Sequence, residues 1–158
     1  MSLKLVTSPA VSPPSVPADG QTVFELPVRI YWEDTDAGGI VFYANYLKFF
    51  ERARTEWLRT LGIHQQTLRD ATGGIFVVSE ASLRYQQPAR LDDELRITAR
   101  VQSPGRASLV FAQQAWRVAG HQNESSTLLC EGTVRVGWVD ATTMRPARMP
   151  ANILEVLK

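Results

Sequence analysis

The chain has 158 residues, enough to bury one real core and short for two independent domains. Its 17 lysines and arginines nearly balance 16 aspartates and glutamates, and a net charge of +1 supports no global field for nucleic acid or membrane surfaces. No run approaches the roughly 18 apolar residues of a membrane span, the N-terminus lacks a secretory core, and the single Cys130 excludes an intrachain disulfide, so a cytoplasmic, unexported protein is expected.

Residues 1–22 include a proline and serine run with nothing periodic to bury and read as a disordered tail, leaving 23–158 as the folded domain. The sequon at Asn123-Glu124-Ser125 signals glycosylation only in a secreted protein and is read as idle. From Val23 to Trp32 the chain is mostly apolar, β-branched or aromatic, which predicts a first strand. An acidic, glycine-rich turn follows through Asp34, Asp36, Gly38 and Gly39. Tyr46, Phe50, Ala53, Trp57 and Leu61 then recur at steps of four and three, predicting one long amphipathic helix that stops at Gly62.

The polar segment from His64 to Gly74 is expected to hold a short helical turn and to end at the Gly73-Gly74 breaker. In the strand after it, Ile75, Val77, Ser79, Ala81, Leu83 and Tyr85 are assigned to one face. Leu95, Ile97, Ala99 and Val101 alternate with Arg96, Thr98, Arg100 and Gln102, a strand with one wet face. Ser103 to Arg106 read as a turn, and two more strands run from about Ser108 to Val118 and Thr127 to Val139. Short connections imply an antiparallel sheet of about five strands, so the fold class is α+β. One helix leaves much of such a sheet uncovered, which predicts an oligomer.

Asp34 and Asp36 admit three readings. Aspartate in a glycine-rich turn before a helix commonly caps or shapes the turn. A calcium loop fails on spacing, because its fifth position would be Gly38 and its twelfth Asn45, so no metal is expected. The third reading is catalysis by one carboxylate without a histidine base, a cysteine nucleophile or a metal, and thioester cleavage fits it. A thiol ionises near pH 8.5, so its thiolate leaves without a strong general acid. What remains is attack by the carboxylate or by water it activates, with the oxyanion held by the unpaired N–H groups of a helix start.

RIYWEDTDAGGIVFYANYLKFFERAR, Arg29 to Arg54, closely resembles the opening motif of the 4-hydroxybenzoyl-CoA thioesterase-like hotdog family, nearest to the acyl-CoA thioesterase branch associated with the Tol-Pal cell-envelope system. The likeness continues through Phe76 to Ser79, Pro88 to Asp93 and Ser108 to Phe111, and covers roughly residues 25 to 150. It implies a hotdog fold, a long central helix wrapped by a curved antiparallel sheet, assembled as a homodimer or homotetramer. It implies hydrolysis of acyl-CoA, with coenzyme A as part of the substrate, no separate cofactor, and acyl carrier protein as a further candidate partner.

The motif's second aspartate is the family's catalytic carboxylate and falls on Asp36. The family's oxyanion donor is a backbone N–H that falls on Tyr43, and the glycines matching Gly38 and Gly39 shape the turn. The Tol-Pal branch often carries histidine where this chain has Tyr43, whereas hydroxybenzoyl-CoA enzymes can carry tyrosine, which leaves aliphatic and aromatic substrates both open. Arg106 lies where family members place basic or polar residues near the nucleotide of coenzyme A, and guanidinium suits phosphate. Ser108 and Arg90 are secondary candidates there.

Glu51 matches the helix glutamate of another hotdog lineage and is read here as a solvent or subunit contact. Cys130 shares a face with Leu128, Val134, Val136 and Trp138 and reads as core, as do Trp57 and Trp116. His64 and His121 read as surface residues. A hotdog hydratase would need an acid-base pair that usually includes histidine, and neither is well placed. The competing class is a non-catalytic acyl-CoA or acyl-carrier-protein binding module in which Asp36 merely caps.

Overall fold

A computed structural model describes residues 20, 22–119 and 125–157. The expected tail, apart from Gly20 and Thr22, lies outside the described residues, as do His121 and Asn123. Five strands form one antiparallel sheet: β1 (Phe24–Arg29), β2 (Gly74–Tyr85), β3 (Glu94–Pro104), β4 (Ser108–Arg117) and β5 (Thr127–Asp140), ordered β1-β3-β4-β5-β2. Helices α1 (Asn45–Thr60) and α2 (Gln65–Thr72) lie between β1 and β2, and α3 (Ala151–Val156) ends the chain.

The core is the seam between α1 and one face of the sheet. Tyr46, Phe49, Phe50, Ala53 and Trp57 are buried on α1, and Leu95, Ile97, Ala99, Leu109, Phe111 and Ala115 face them from β3 and β4. Trp57 stacks parallel to Phe24 at 6.3 Å between ring centroids and meets Phe111 edge-on at 6.1 Å. Each large side chain buried this way is worth about 1.5–3 kcal/mol of transfer free energy. One polar anchor runs through the seam: Gln113, 1% exposed, donates its Nε2 to the Phe50 carbonyl at 3.0 Å and accepts from Arg54 at 2.6 Å. The helix ends as expected, with Gly62 at φ +77°.

Four expectations change. The first strand stops at Arg29, and Trp32, 79% exposed, opens a 3-10 turn over Trp32–Asp34. In β2 the pairing slips between Val78 and Glu80, so Ser79 is an extra residue that reverses the inward parity. Phe76 pairs with Trp138 and Leu83 with Gly132 on the helix-facing side, so the single face assigned from Ile75 to Tyr85 is split at the bulge. A second slip, opposite Ala115 and Trp116, leaves both Leu129 and Cys130 buried and moves Leu128 off the Cys130 face. Trp116 pairs with Arg96 and Leu128, half-buried and away from α1, instead of joining the core.

Two elements exceed the expectation. The polar segment after α1 forms two turns of helix, ended by Gly73 at φ +71°. Beyond β5 the chain folds back as a strap: Ala147 N–H donates to Trp138 at 3.0 Å, Met149 N–H to Arg106 at 2.9 Å, and Met149, Ile153 and Leu157 are buried. No helix among the described residues is long and apolar enough to cross a membrane.

Candidate active site

Residues 35–41 form a miniature hairpin between β1 and α1. Thr35 bridges Val41, Asp36 N–H donates to the Ile40 carbonyl at 2.9 Å, and Gly39 N–H donates to the Asp36 carbonyl at 3.0 Å. Gly39 sits at φ +75°, where a side chain would be strained. Asp36 Oδ1 accepts the Gly38 N–H at 2.8 Å, and a Cβ on Gly38 would stand 3.1 Å from that oxygen. Both glycines thus shape the loop around an exposed carboxylate, one oxygen of which is tethered and the other left for chemistry.

The two aspartates have separate jobs. Asp34, 8% exposed, accepts the Tyr31 N–H on Oδ2 at 2.9 Å, while its carbonyl accepts Phe42 N–H and Asn45 Nδ2, each at 2.9 Å. Neither carboxylate caps α1, whose N-cap Ala44 has no side-chain hydrogen bond. Asp34 secures the 3-10 turn, and Asp36 closes its own turn, so the capping reading holds for local turn chemistry and not for the long helix.

At the start of α1, Asn45 N–H donates to the Phe42 carbonyl at 2.9 Å and Leu47 N–H to the Ala44 carbonyl at 3.1 Å. Among the described residues no group accepts the Tyr43 N–H. An unpaired donor at a helix start is an oxyanion-type site when it lies beside the reacting group. The connection from β2 to β3 closes against this segment. Val41 N–H donates to Ala89 at 2.9 Å, Ile40 bridges Arg90, and the Tyr46 hydroxyl accepts Ala89 N–H at 3.2 Å. Burial pushes the Tyr46 hydroxyl pKa up, partly opposed by that N–H. Arg90, a secondary candidate from the sequence, is the arginine whose backbone flanks the Asp36 hairpin.

Arg106 and Ser108 lie elsewhere. They occupy the turn between β3 and β4, closed by Gly105 N–H to Ser108 at 2.8 Å. The Asp36 hairpin sits beside Ile30 and Asp93, at the opposite end of the 11-residue β3, roughly 35 Å away along the strand. One chain therefore does not bring Arg106 to Asp36. Glu51 is exposed, accepts the Thr55 hydroxyl at 2.6 Å, and borders a cavity of about 130 Å³ lined by Leu58, Phe76, Val78 and Leu157. Beside it, burial lowers the Arg54 pKa, with Glu51 opposing.

Cys130 is buried, and desolvation pushes its thiol up to about 12, which makes it an inert core group. Trp57 is core, His64 is exposed ahead of α2, and His121 falls outside the described residues. Among the described residues no three His, Cys, Asp or Glu side chains gather to hold a metal ion.

The family model for the thioesterase-like superfamily matches residues 30–157, from just after β1 to the C-terminal strap. The chain belongs to the thioesterase-like superfamily. An acyl-CoA thioester hydrolase, YbgC, of Escherichia coli O6:H1 is 44% identical over 137 residues, 87% of this chain and 97% of that protein. An acyl-CoA thioesterase YbgC of Haemophilus influenzae is 42% identical over 130 residues, 82% of this chain and 90% of its own. A solved structure of a 4-hydroxybenzoyl-CoA thioesterase mutant complexed with 4-hydroxybenzoyl-CoA superposes with a TM-score of 0.79 at 19% identity, covering 86% of this chain and 99% of that one. That likeness establishes the hotdog fold for this thioesterase-like chain.

Proposed function

We propose that this chain hydrolyses acyl-CoA to a free acid and coenzyme A, with Asp36 supplying the attack and the Tyr43 N–H holding the oxyanion. The observation that carries this reading is the pairing of an exposed carboxylate, tethered through one oxygen to Gly38, with an N–H at the start of α1 that no described group accepts. The curated relatives support the substrate class, since YbgC of both organisms is an acyl-CoA thioesterase by name.

Two routes are open to this geometry. Asp36 takes a proton from water as the water oxygen bonds to the thioester carbon, or Asp36 itself bonds to that carbon. Either way the carbonyl π pair moves onto oxygen, where the Tyr43 N–H meets it, and collapse breaks the C–S bond to release thiolate. The first route yields the acid directly, and the second a mixed anhydride that water then cleaves. No cofactor beyond the coenzyme A of the substrate is required.

The separation of Arg106 and Ser108 from Asp36 along β3 supports a site shared between subunits, with Arg106 and Ser108 of one protomer serving the nucleotide bound at another's Asp36. The edge strand β2, which among the described strands pairs with β5 alone, is suited to continue the sheet into a second copy. A homodimer or homotetramer acting in the cytoplasm on acyl-CoA, or on acyl groups carried by acyl carrier protein, follows from this reading.

Thiol release from short, long and aromatic acyl-CoAs by wild type and Asp36→Asn tests it. Turnover that falls at least a hundredfold in the variant, with acyl-CoA binding retained, is expected. Equal rates in both proteins would sink the role of Asp36 and favour the binding-module reading.

A further inference from the structure

The two peptide planes flanking Tyr43 are held by different parts of the chain. The plane that carries the Tyr43 N–H also carries the Phe42 carbonyl, which is pinned by Asn45 N–H at 2.9 Å. The next plane carries the Tyr43 carbonyl. It lies just before α1, and among the described residues no main-chain N–H reaches it. Its donor is the hydroxyl of Tyr85, at 3.0 Å, from the far end of β2 and 42 residues away.

The Tyr85 ring is itself fixed. It meets the Tyr43 ring edge-on at 6.4 Å and an 89° interplanar angle, and the Tyr46 ring at 5.7 Å and 66°. Tyr46 in turn accepts Ala89 N–H, four residues beyond Tyr85. Helix start and β2 end are thereby tied at hydroxyl, ring and backbone. With the planes on both sides of the Tyr43 Cα pinned, the direction of its N–H is set before substrate arrives. A donor aimed in advance at developing charge costs no reorganisation at the moment of reaction.

We propose that Tyr85 is a positioning residue of the thioesterase site: its hydroxyl fixes the Tyr43 carbonyl and so aims the Tyr43 N–H at the oxyanion. This rests on the Asp36 and Tyr43 reading above. Tyr85 touches no reacting atom, and its hydroxyl acts through a peptide. Burial raises its pKa, which keeps the hydroxyl protonated and donating at neutral pH. Loss of the bond frees the plane on the carbonyl side of the Tyr43 Cα and leaves the N–H held from the Phe42 side alone, a small error in aim that enzymes feel strongly in rate.

The test compares wild type, Tyr85→Phe, Tyr85→Ala and Asp36→Asn in steady-state hydrolysis of butyryl-CoA, decanoyl-CoA and 4-hydroxybenzoyl-CoA, with thermal unfolding of each protein. Tyr85 is 47% exposed, so Tyr85→Phe keeps ring packing and fold and removes only the oxygen. The expected result is a kcat lowered about ten- to a hundredfold in Tyr85→Phe on the substrates that wild type turns over, with KM within about twofold and an unchanged Tm. A merely structural ring predicts the reverse pattern, with Tyr85→Phe matching wild type and only Tyr85→Ala impaired. That pattern overturns the proposal, as does a raised KM at unchanged kcat, which would make Tyr85 a substrate contact. If Asp36→Asn collapses while Tyr85→Phe does not, the positioning role alone fails. If Asp36→Asn matches wild type, the site reading fails and this inference falls with it.

Discussion

Asn45 reaches back 11 residues to place its Nδ2 on the Asp34 carbonyl at 2.9 Å, and this buried bond ties the first residue of α1 to the turn before the Asp36 hairpin. The same carbonyl accepts Phe42 N–H, so one oxygen gathers both arms of the loop. Asn45→Ala removes one of those donors and leaves the other. The expected cost is about 1 kcal/mol, a Tm lowered by roughly 2–4 °C. Because the Tyr43 peptide hangs from the same residue, kcat falls with it, and calorimetry beside thiol-release kinetics checks both.

Asp34 and Asp36 stand two residues apart and separate into stability and catalysis. Asp34→Ala strips the acceptor from the Tyr31 N–H at a nearly buried position, at about 1–3 kcal/mol. Asp36 is exposed, and Asp36→Ala stays within about 0.5 kcal/mol of wild type. Urea unfolding of both variants is expected to show a lower midpoint for Asp34→Ala only, while thiol release is abolished in Asp36→Ala. A destabilised Asp36→Ala would show that its Gly38 turn bond matters more to folding than its exposure indicates.

The hairpin was legible because its information is local. Aspartate, two glycines and a helix start lie within ten positions, and the hydrogen bonds that shape the loop join Asp36 to Gly38, Gly39 and Ile40. The helix face from Tyr46 to Trp57 was legible for the same reason, since 3.6-residue periodicity survives without knowledge of the partner. The sheet faces failed where periodicity is interrupted. Ser79 and Leu129 each add one residue to a strand, and a one-residue slip sends every later side chain to the other face. Tyr85 was illegible as a support of Tyr43 because 42 residues separate them and nothing local marks the bond. The closing strap, with Met149, Ile153 and Leu157, has too few apolar positions to show a period.

Gln113 is the polar residue most deeply set between helix and sheet, and both ends of its amide are used. Gln113→Leu fills the volume but leaves the Phe50 carbonyl without that donor and the half-buried Arg54 guanidinium without that acceptor. Hydrogen bonds to charged groups are worth about 1.5–3 kcal/mol, so a loss near 2 kcal/mol is expected, seen as a Tm lowered by about 4–8 °C. Gln113→Glu is expected to be milder, since its carboxylate keeps the Arg54 contact. An unchanged midpoint for Gln113→Leu would mean that water or a shifted helix replaces both bonds at no cost.

Cys130 predicts an alkaline weakness. Burial pushes its thiol from 9.0 to about 12 in the folded chain, whereas the unfolded chain ionises it near the ordinary value. Between those values the unfolded state has released a proton that the native state still holds, so stability falls as pH rises. The contribution is complete below about pH 9 and is lost progressively toward pH 12. Tyr46 and Tyr85 are raised by burial as well and add in the same direction. Urea midpoints at pH 8 and pH 10.5 are expected to drop for wild type, and to drop less for Cys130→Ala, which keeps the tyrosines but loses the thiol. The small cavity left by the substitution lowers both midpoints together, so the difference between the two pH values isolates the thiol. Equal drops in the two proteins would show that Cys130 ionises as readily folded as unfolded, and would contradict its burial on β5.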